Sequence, residues 1–405
     1  MNKIGLILSN PKKIIYCVTA ILMLIGCVNV FSASYVLAQS EQHGSYFYLI
    51  RYIMWAAIGI GVMYAVRKIG YKSFLEPQNL LIIYGVVLAM LVLVPIVGIS
   101  ANGAKRWLGV GGFTFQPSEA VKVVVIMLAT GYLASVIKAG RRVILFTKKS
   151  WPIHGMAFLL MMLVAIQPDK GTAGIIAGLY LGVFVAAGLG GKRLFITGII
   201  GLTAAGCLAH YSTYSRERLQ VWLDPWSEPW GKGYQMVQAQ LAIGSGGFWS
   251  NWGNGFAKYH YLPEPHTDYA FAVFCQENGF VGALFVIFFF LLMAYAFIKI
   301  AFKTRSEKGY LLVSGLMLYI AGQACANMAM VCGLLPVIGV PLPLISYGGT
   351  SMVTAMGAIG LVLSVYDETE KRIIEEKHLK DKQLLPEQRR QDLQFVERRR
   401  WTHRE

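Results

Sequence analysis

Charge is scarce in this chain, and negative charge is the scarcer sign. Asp and Glu number 21 in 405 residues against 37 Lys and Arg, and the four types together make up 14%. So few charged side chains exclude a soluble domain, because 56% of the residues are hydrophobic and the mean hydropathy is +0.52. Cysteine is also sparse. The six cysteines form no Cys-x-x-Cys pair and no Cys/His cluster, which argues against a structural zinc site. Cys17, Cys27, Cys207, Cys325 and Cys332 fall in or beside apolar runs, and Cys275 lies near the start of one. Free, buried thiols are expected.

What the chain has is apolar length. Runs of about 20 apolar residues, enough to cross a bilayer as a helix, recur at 14–34, 46–66, 79–98, 116–137, 151–167, 172–189, 193–211, 275–302, 310–333 and 345–366. They predict an all-α polytopic membrane protein with about ten transmembrane helices. The first run reads as an uncleaved helix. Small residues near Ala38 offer a signal-peptide cleavage site, but the apolar core is span-length and more spans follow.

Lys and Arg set the orientation. With a cytoplasmic N-terminus, the inner loops carry Arg67, Lys68 and Lys72, then Lys138, Arg141, Arg142, Lys148 and Lys149, then Lys192, Arg193, Lys303, Arg305 and Lys308. The outer loops 35–45 and 334–344 carry none. An even span count returns the C-terminus to the cytoplasm. The net charge of +16 is thereby explained by topology and anionic membrane lipid, with no need for nucleic acid. Residues 1–366 form the membrane domain. Residues 367–405, with 11 Lys/Arg against 10 Asp/Glu, form a charged cytoplasmic tail, either helix or disordered arm.

Two glycine patterns point to close helix packing: Gly174, Gly178 and Gly182 on the sixth span, and Gly357 with Gly360 on the tenth. The long outer connection 212–274 is the exception among short loops. It holds Trp222, Trp226, Trp230, Trp249 and Trp252 and the stretch "GSGGFWSNWGNG". An interfacial loop and a lid over a cavity fit this composition equally well.

Acid–base chemistry at the outer face has few carboxylates to draw on. Outside the tail and the inner loops remain Glu41, Glu119, Asp169, Glu217, Asp224, Glu228, Glu264, Asp268 and Glu277, with His43, His210, His260 and His266 near that face. In "FQPSEAVKV", Glu119 and Lys122 stand at i and i+3, on one helix face, where they can pair. They form either a self-neutralising ion pair or a cationic site for an anionic group. In "QPDKGTA", Asp169 and Lys170 mark another outer boundary, with Thr172 placed to cap the sixth helix; "NGAKRWLGVGG" adds Lys105 and Arg106. Several cations and few acids suit a phosphate or diphosphate.

Five stretches together resemble the SEDS family of shape, elongation, division and sporulation proteins: "NGAKRWLGVGGFTFQPSEAVK", "QPDKGTA", "DPWSEPWGKGYQMVQAQLAIGSGG", "YLPEPHTDYAFAVFCQENGFVG" and "GLLPVIGVPLPLISYGGTS". The resemblance spans roughly residues 14–366. "DPW" and "LPEPHTD" are closer to the division and sporulation branch than to the elongation branch, with division favoured. The resemblance implies ten transmembrane helices with a large extracytoplasmic loop between helices 7 and 8. It also implies a peptidoglycan glycosyltransferase of the bacterial cytoplasmic membrane, at the division septum. Its substrate is lipid II, a polyprenyl-diphosphate-linked disaccharide peptide, polymerised into β-1,4 glycan. The implied partners are a class B penicillin-binding protein, since the chain itself carries no transpeptidase domain, and other divisome proteins.

The family's essential aspartate matches Asp268 in "HTDY". A carboxylate there can take the proton of an acceptor hydroxyl, worth about 10²–10⁴-fold. The diphosphate leaving group needs cations, from Lys, Arg or a divalent ion such as magnesium or manganese, more than a second acid. No cofactor is otherwise called for. The competing reading of Asp268 is a cap for the eighth helix. Lys122 is the foremost candidate for a diphosphate or acid-pairing contact, with Glu119, Arg106, Arg218, Asp169 and His266 as further site residues. Ser346 and Tyr347 offer polar contacts at the cavity mouth, and Glu277 reads as structural. Lys170 departs from the apolar residue usual in the family. Two functions of other classes compete: a lipid II flippase, which needs a headgroup path to the cytoplasm, and a non-catalytic divisome scaffold.

Overall fold

In a computed structural model of the chain, the structure describes residues 10–101, 104–110, 113–211, 213–249, 255–257, 259 and 262–401. Trp252 and His260, singled out above, lie outside the described residues. Helices occupy all ten expected runs: α1 (Pro11–Ser40), α2 (Phe47–Ile69), a one-turn α3 (Tyr71–Phe74), α4 (Pro77–Val97), α5 (Pro117–Lys138), α6 (Trp151–Ile166), α7 (Lys170–Ala186), α8 (Gly191–Tyr211), α9 (Thr213–Leu223), α10 (Tyr234–Ser245), α11 (Ala270–Lys303), α12 (Glu307–Met317), a π-turn (Leu318–Gly322), α13 (Gln323–Val331) and α14 (Gly349–Trp401). Seven segments among the described residues are long and apolar enough to cross a membrane, the joined Glu307–Val331 among them. α6 and α7 are apolar but shorter. Leu24, Ile82 and Phe158 face outward from their helices, as a bilayer-facing surface requires.

Polar contacts between helix ends and loops gather at two faces. At one face, which we term the site face, Arg106 meets Asp169, Arg218 meets Val337, and Tyr347 meets His266. At the opposite, tail face, Lys12 and Arg67 both pair with Asp367 at 2.9 and 2.6 Å, Lys72 pairs with Glu368, and Lys303 with Glu370. α14 runs through into the charged tail without a break, so those ion pairs clamp the ends of α1, α2 and α11 to it.

Several expectations need correction. The 98–116 connection is a three-stranded antiparallel sheet, β1 (Ile99–Ala101), β2 (Ala104–Val110) and β3 (Phe113–Phe115), with Ser100 opposite Lys105 and Leu108 opposite Phe115. α7 is capped by Asp169, whose side chain accepts the Thr172 N–H, and not by Thr172. A Cβ on Gly174 or Gly178 would meet nothing, so only Gly182, against Leu318, makes the expected close approach. The Gly357–Gly360 pattern does pack: a Cβ on Gly360 would stand 2.5 Å from the Met63 carbonyl of α2. The described cysteines are free, but only Cys275 is buried, while Cys17, Cys325 and Cys332 are exposed on outward helix faces. The Cys207 side chain lies outside the described residues.

The long connection is neither a bare surface loop nor a detached lid. α10 buries Met236, Val237, Ala239 and Ala242 in the body of the protein. α11 breaks at Gly279, which has φ 65 and non-helical ψ. A Cβ there would stand 2.8 Å from the Trp249 carbonyl, so glycine lets the connection press against the kink. The N–H groups freed at the break donate to it: Phe280 to Gly247 at 3.0 Å and Val281 to Phe248 at 3.3 Å.

Candidate active site

Asp268 sits at the site face, in a run of turns between Leu262 and Tyr269. Glu264 adopts a left-handed φ of 52. The Thr267 N–H donates to the Glu264 carbonyl at 3.3 Å, and its hydroxyl to the Glu264 carboxylate at 3.1 Å. The N-cap of α11 is Tyr269, with no side-chain capping bond. The cap reading of Asp268 is thus corrected: tight local turns absorb the backbone, and its carboxyl is left for other work. Asn327 on α13 donates to the Asp268 carbonyl at 2.8 Å and to the Val340 carbonyl at 2.6 Å. Gly339, at φ 74, lies directly beneath: a Cβ would stand 3.6 Å from Asp268 Oδ2.

Burial holds the Asp268 carboxyl well above the usual aspartate range, at about 6. The carboxylates of Glu264 and Asp169 push it the same way, and the guanidiniums of Arg218 and Arg106 pull it back. Both arginines are anchored on backbone. Arg106, on β2, donates to the Pro168 carbonyl at 2.5 Å and lies 3.8 Å from Asp169. Arg218, on α9, donates to the Val337 carbonyl at 2.8 Å. One turn on, the Trp222 indole donates to the Gly333 carbonyl at 3.0 Å, fixing α9 to the loop before α14. Asp169 accepts from Thr172 at 3.3 Å and from Gln116 at 3.4 Å. The sheet supplies Arg106, the cap of α7 Asp169, α9 Arg218 and the turns before α11 Asp268.

The structure separates other expected residues from it. Lys122 is wholly buried, with its Nζ 2.7 Å from Glu119, 2.8 Å from Gln323 Oε1 and 5.7 Å over the Tyr319 ring. It makes the acid-pairing contact foreseen for it. Its link to Asp268 runs through α13. There Gln323 and Asn327, one turn apart, hold the neighbouring carbonyls of Pro341 and Val340. His266 and Tyr347 form an aromatic shelf with Tyr48, with ring centroids 4.7–5.4 Å apart. The Tyr347 N–H donates to the His266 carbonyl at 2.8 Å. Burial lowers the His266 pKa, against the opposing pull of the Glu264 and Glu41 carboxylates. Ser346 is buried, and its hydroxyl accepts the Leu342 N–H at 2.9 Å, which shapes the loop. Glu277 is buried against the Ser32 hydroxyl, in keeping with a structural role.

Sequence reasoning passed over Gln323, Asn327 and Glu264 as site residues. The signal was available for the first two, as amide side chains four apart in an apolar run, where polar groups are costly and serve a purpose. Among the described residues no three His, Cys, Asp or Glu side chains are grouped to hold a metal.

Fold and site define a polytopic helical membrane protein with a raised carboxylate set among arginines at one face. More particularly, the chain belongs to the cell cycle protein family of FtsW, RodA and SpoVE, whose sequence model matches residues 12–371. It is 33% identical over 358 residues to stage V sporulation protein E of Bacillus subtilis, covering 88% of this chain and 97% of that one. To a probable peptidoglycan glycosyltransferase FtsW of Thioalkalivibrio it is 34% identical over 355 residues, covering 87% and 88%. Among solved structures it resembles a peptidoglycan synthase complex that coordinates polymerization and crosslinking, with a TM-score of 0.72, 24% identity and coverage of 88% and 97%. It also resembles the rod shape determining protein RodA of Thermus thermophilus, with a TM-score of 0.63, 22% identity and coverage of 88% and 96%. At these identities the structural likeness speaks to the fold.

Proposed function

We propose that this chain is a peptidoglycan glycosyltransferase that polymerises lipid II into β-1,4 glycan at the outer face of the cytoplasmic membrane, in septal wall synthesis. Its relatives named for that activity support the reading. The observation that carries it is Asp268, a carboxylate near pKa 6 beside two backbone-anchored arginines. At neutral pH such a group is mostly ionised, yet a far better proton acceptor than an ordinary aspartate. In the reaction, the acceptor sugar hydroxyl bonds to the donor's anomeric carbon and passes its proton to Asp268. The bond from that carbon to the diphosphate oxygen breaks. The polyprenyl diphosphate leaves with the negative charge, stabilised by Arg106 and Arg218.

A magnesium or manganese ion bound with the diphosphate would add to the charge stabilisation supplied by Arg106 and Arg218. The Lys and Arg of the tail face, Arg67, Lys72, Arg141 and Lys192 among them, support a cytoplasmic location for that face and for both termini. A class B penicillin-binding protein is the cross-linking partner. The test is polymer formation from lipid II by the purified, folded protein, alone and with that partner. A glycan ladder on a gel is expected. No product in either case would return the chain to the flippase or scaffold class.

A further inference from the structure

A second charged pocket lies at the tail face, far along the chain from Asp268. α5 closes at Gly140 (φ 64), with the Arg141 N–H donating to the Val136 carbonyl at 3.1 Å and the Gly140 N–H to Ile137 at 2.8 Å. α7 closes the same way at Gly188 (φ 90), through Leu189 to Phe184 and Gly188 to Val185, both 3.0 Å. Each turn is a glycine-terminated helix stop, and each is followed by a pair of cations: Arg141 with Arg142, and Lys192 with Arg193. Arg193 donates to the Val143 carbonyl at 2.9 Å and ties the two turns together. Between them is a cavity of about 670 Å³ bordered by all four cations and by Gly188, Gly190 and Gly191.

No Asp or Glu borders this cavity, and among the described residues none of the four cations makes an ion pair. Elsewhere on the same face, Lys12, Arg67, Lys72, Lys303 and Arg305 are each matched by an acid of α14. Helix dipoles explain only half of the cluster. Arg141 and Arg142 follow the C-terminus of α5, which favours cations. Lys192 and Arg193 stand in the first turn of α8, at the end that disfavours them. That end does favour an anion.

We propose that this pocket binds the phosphodiester headgroup of an anionic membrane phospholipid. The choice of a lipid over a free phosphate rests on the wall beside the cations. Leu194, Phe195 and Ile196 follow Arg193 directly and are exposed, and Ile137 and Ala187 line the cavity itself. Acyl chains would cover this apolar wall, and a soluble phosphate would leave it bare.

Two kinds of variant test this in the full chain. Arg141→Ala/Arg142→Ala/Lys192→Ala removes charge but keeps Arg193 as the tie. Gly190→Leu adds a side chain at the cavity's border with every charge kept, and it is tolerated because a Cβ at Gly190 meets nothing within 4 Å. Native mass spectrometry of detergent-purified protein would count retained phosphatidylglycerol, and thermal shifts would compare added phosphatidylglycerol, phosphatidylcholine and inorganic phosphate. We expect phosphatidylglycerol alone to be retained and to stabilise the wild type. At about fivefold per cation, the triple variant should weaken retention about a hundredfold, and Gly190→Leu should also lose it. Both variants should elute as folded protein, and a Lys148→Ala/Lys149→Ala control should retain the lipid. Equal retention by wild type and both pocket variants would overturn the proposal. So would equal loss in the control, or stabilisation by inorganic phosphate with none by phosphatidylglycerol.

Discussion

The Glu119–Lys122 pair and the Asp268 cluster stand at the same face, yet they hold charge in different ways. Glu119 and Lys122 are neighbours on one helix, 2.7 Å apart and both almost fully buried, and Lys122 donates a further hydrogen bond to Gln323 Oε1. Their charges cancel in place. Around Asp268 the cations come from the distant elements β2 and α9, and each is fastened to a carbonyl of the chain. Compensation there is incomplete, so burial and two nearby carboxylates win and the carboxyl rises to about 6. A pair that cancels within its own helix acts as a strut. A carboxylate left partly uncompensated is poised to exchange a proton.

The largest effect expected from this contrast is on turnover. Asp268→Asn keeps the size of the side chain and removes the base, so polymerisation of lipid II should fall about 10²–10⁴-fold. Stability should move the other way. The raised pKa means the folded state binds more protons than the unfolded chain between the ordinary aspartate value and about 6. Stability is lost as pH rises through that window, and the penalty is fully present at pH 7. Removing the charge should therefore hold or raise the melting temperature at neutral pH. Near-normal glycan output from a stable Asp268→Asn protein would break the comparison.

Lys122→Ala should act on folding first. It strands Glu119 as a buried charge, a loss of about 3–5 kcal/mol, read as lower yield and melting temperature. Glu119→Gln/Lys122→Met should recover most of that stability, because apolar or neutral replacements of a buried pair are often tolerated. Lys122→Arg should keep part of the activity. A Lys122→Ala protein that folds fully but no longer polymerises would move Lys122 into the reacting cluster.

A smaller effect is expected with pH. Below about 6 the rate should drop roughly tenfold per unit as Asp268 is protonated. Partner binding, measured in parallel, should stay flat. A rate that follows an ordinary aspartate pKa near 4 would show that burial does not set the carboxyl's behaviour.

The positions of these two clusters were legible to different degrees. The pair was readable, because i, i+3 spacing places it on one face whatever else folds around it. Asp268 was legible through its motif, but its cap-or-base ambiguity was not resolvable, since turn geometry at Glu264 and Thr267 decides where α11 begins. The apolar runs announced their helices because length in hydrocarbon is a strong signal. The sheet bearing Arg106 escaped notice because glycines interrupt its short strands. Asp169 took the cap expected of Thr172 because the helix starts one residue after it. The meeting of Arg106, Arg218 and Asp268 depends on contacts over more than 100 positions of sequence, such as Arg218 to Val337, which no local pattern encodes.

The smallest effect comes from the bridge between the two clusters. Asn327 joins the Asp268 backbone to Val340, while Gln323, one turn earlier, joins Lys122 to Pro341. Asn327→Ala leaves the buried Val340 carbonyl and the half-buried Asp268 carbonyl without their donor, a loss of about 1–3 kcal/mol. If Asn327 only supports packing, that loss should appear in melting temperature alone, and kcat per folded protein should be unchanged. If it positions Asp268 over Gly339, kcat should fall about tenfold, the factor that corresponds to 1.4 kcal/mol. Apparent lipid II affinity and the acid limb of the pH profile should then stay in place, because the carboxyl's own charged neighbours are untouched. Asn327→Gln, which keeps the amide on a longer arm, should regain stability before it regains rate. A shift of the acid limb in Asn327→Ala would instead place the amide in the electrostatic set around Asp268 and draw the strut and the reacting cluster into one network.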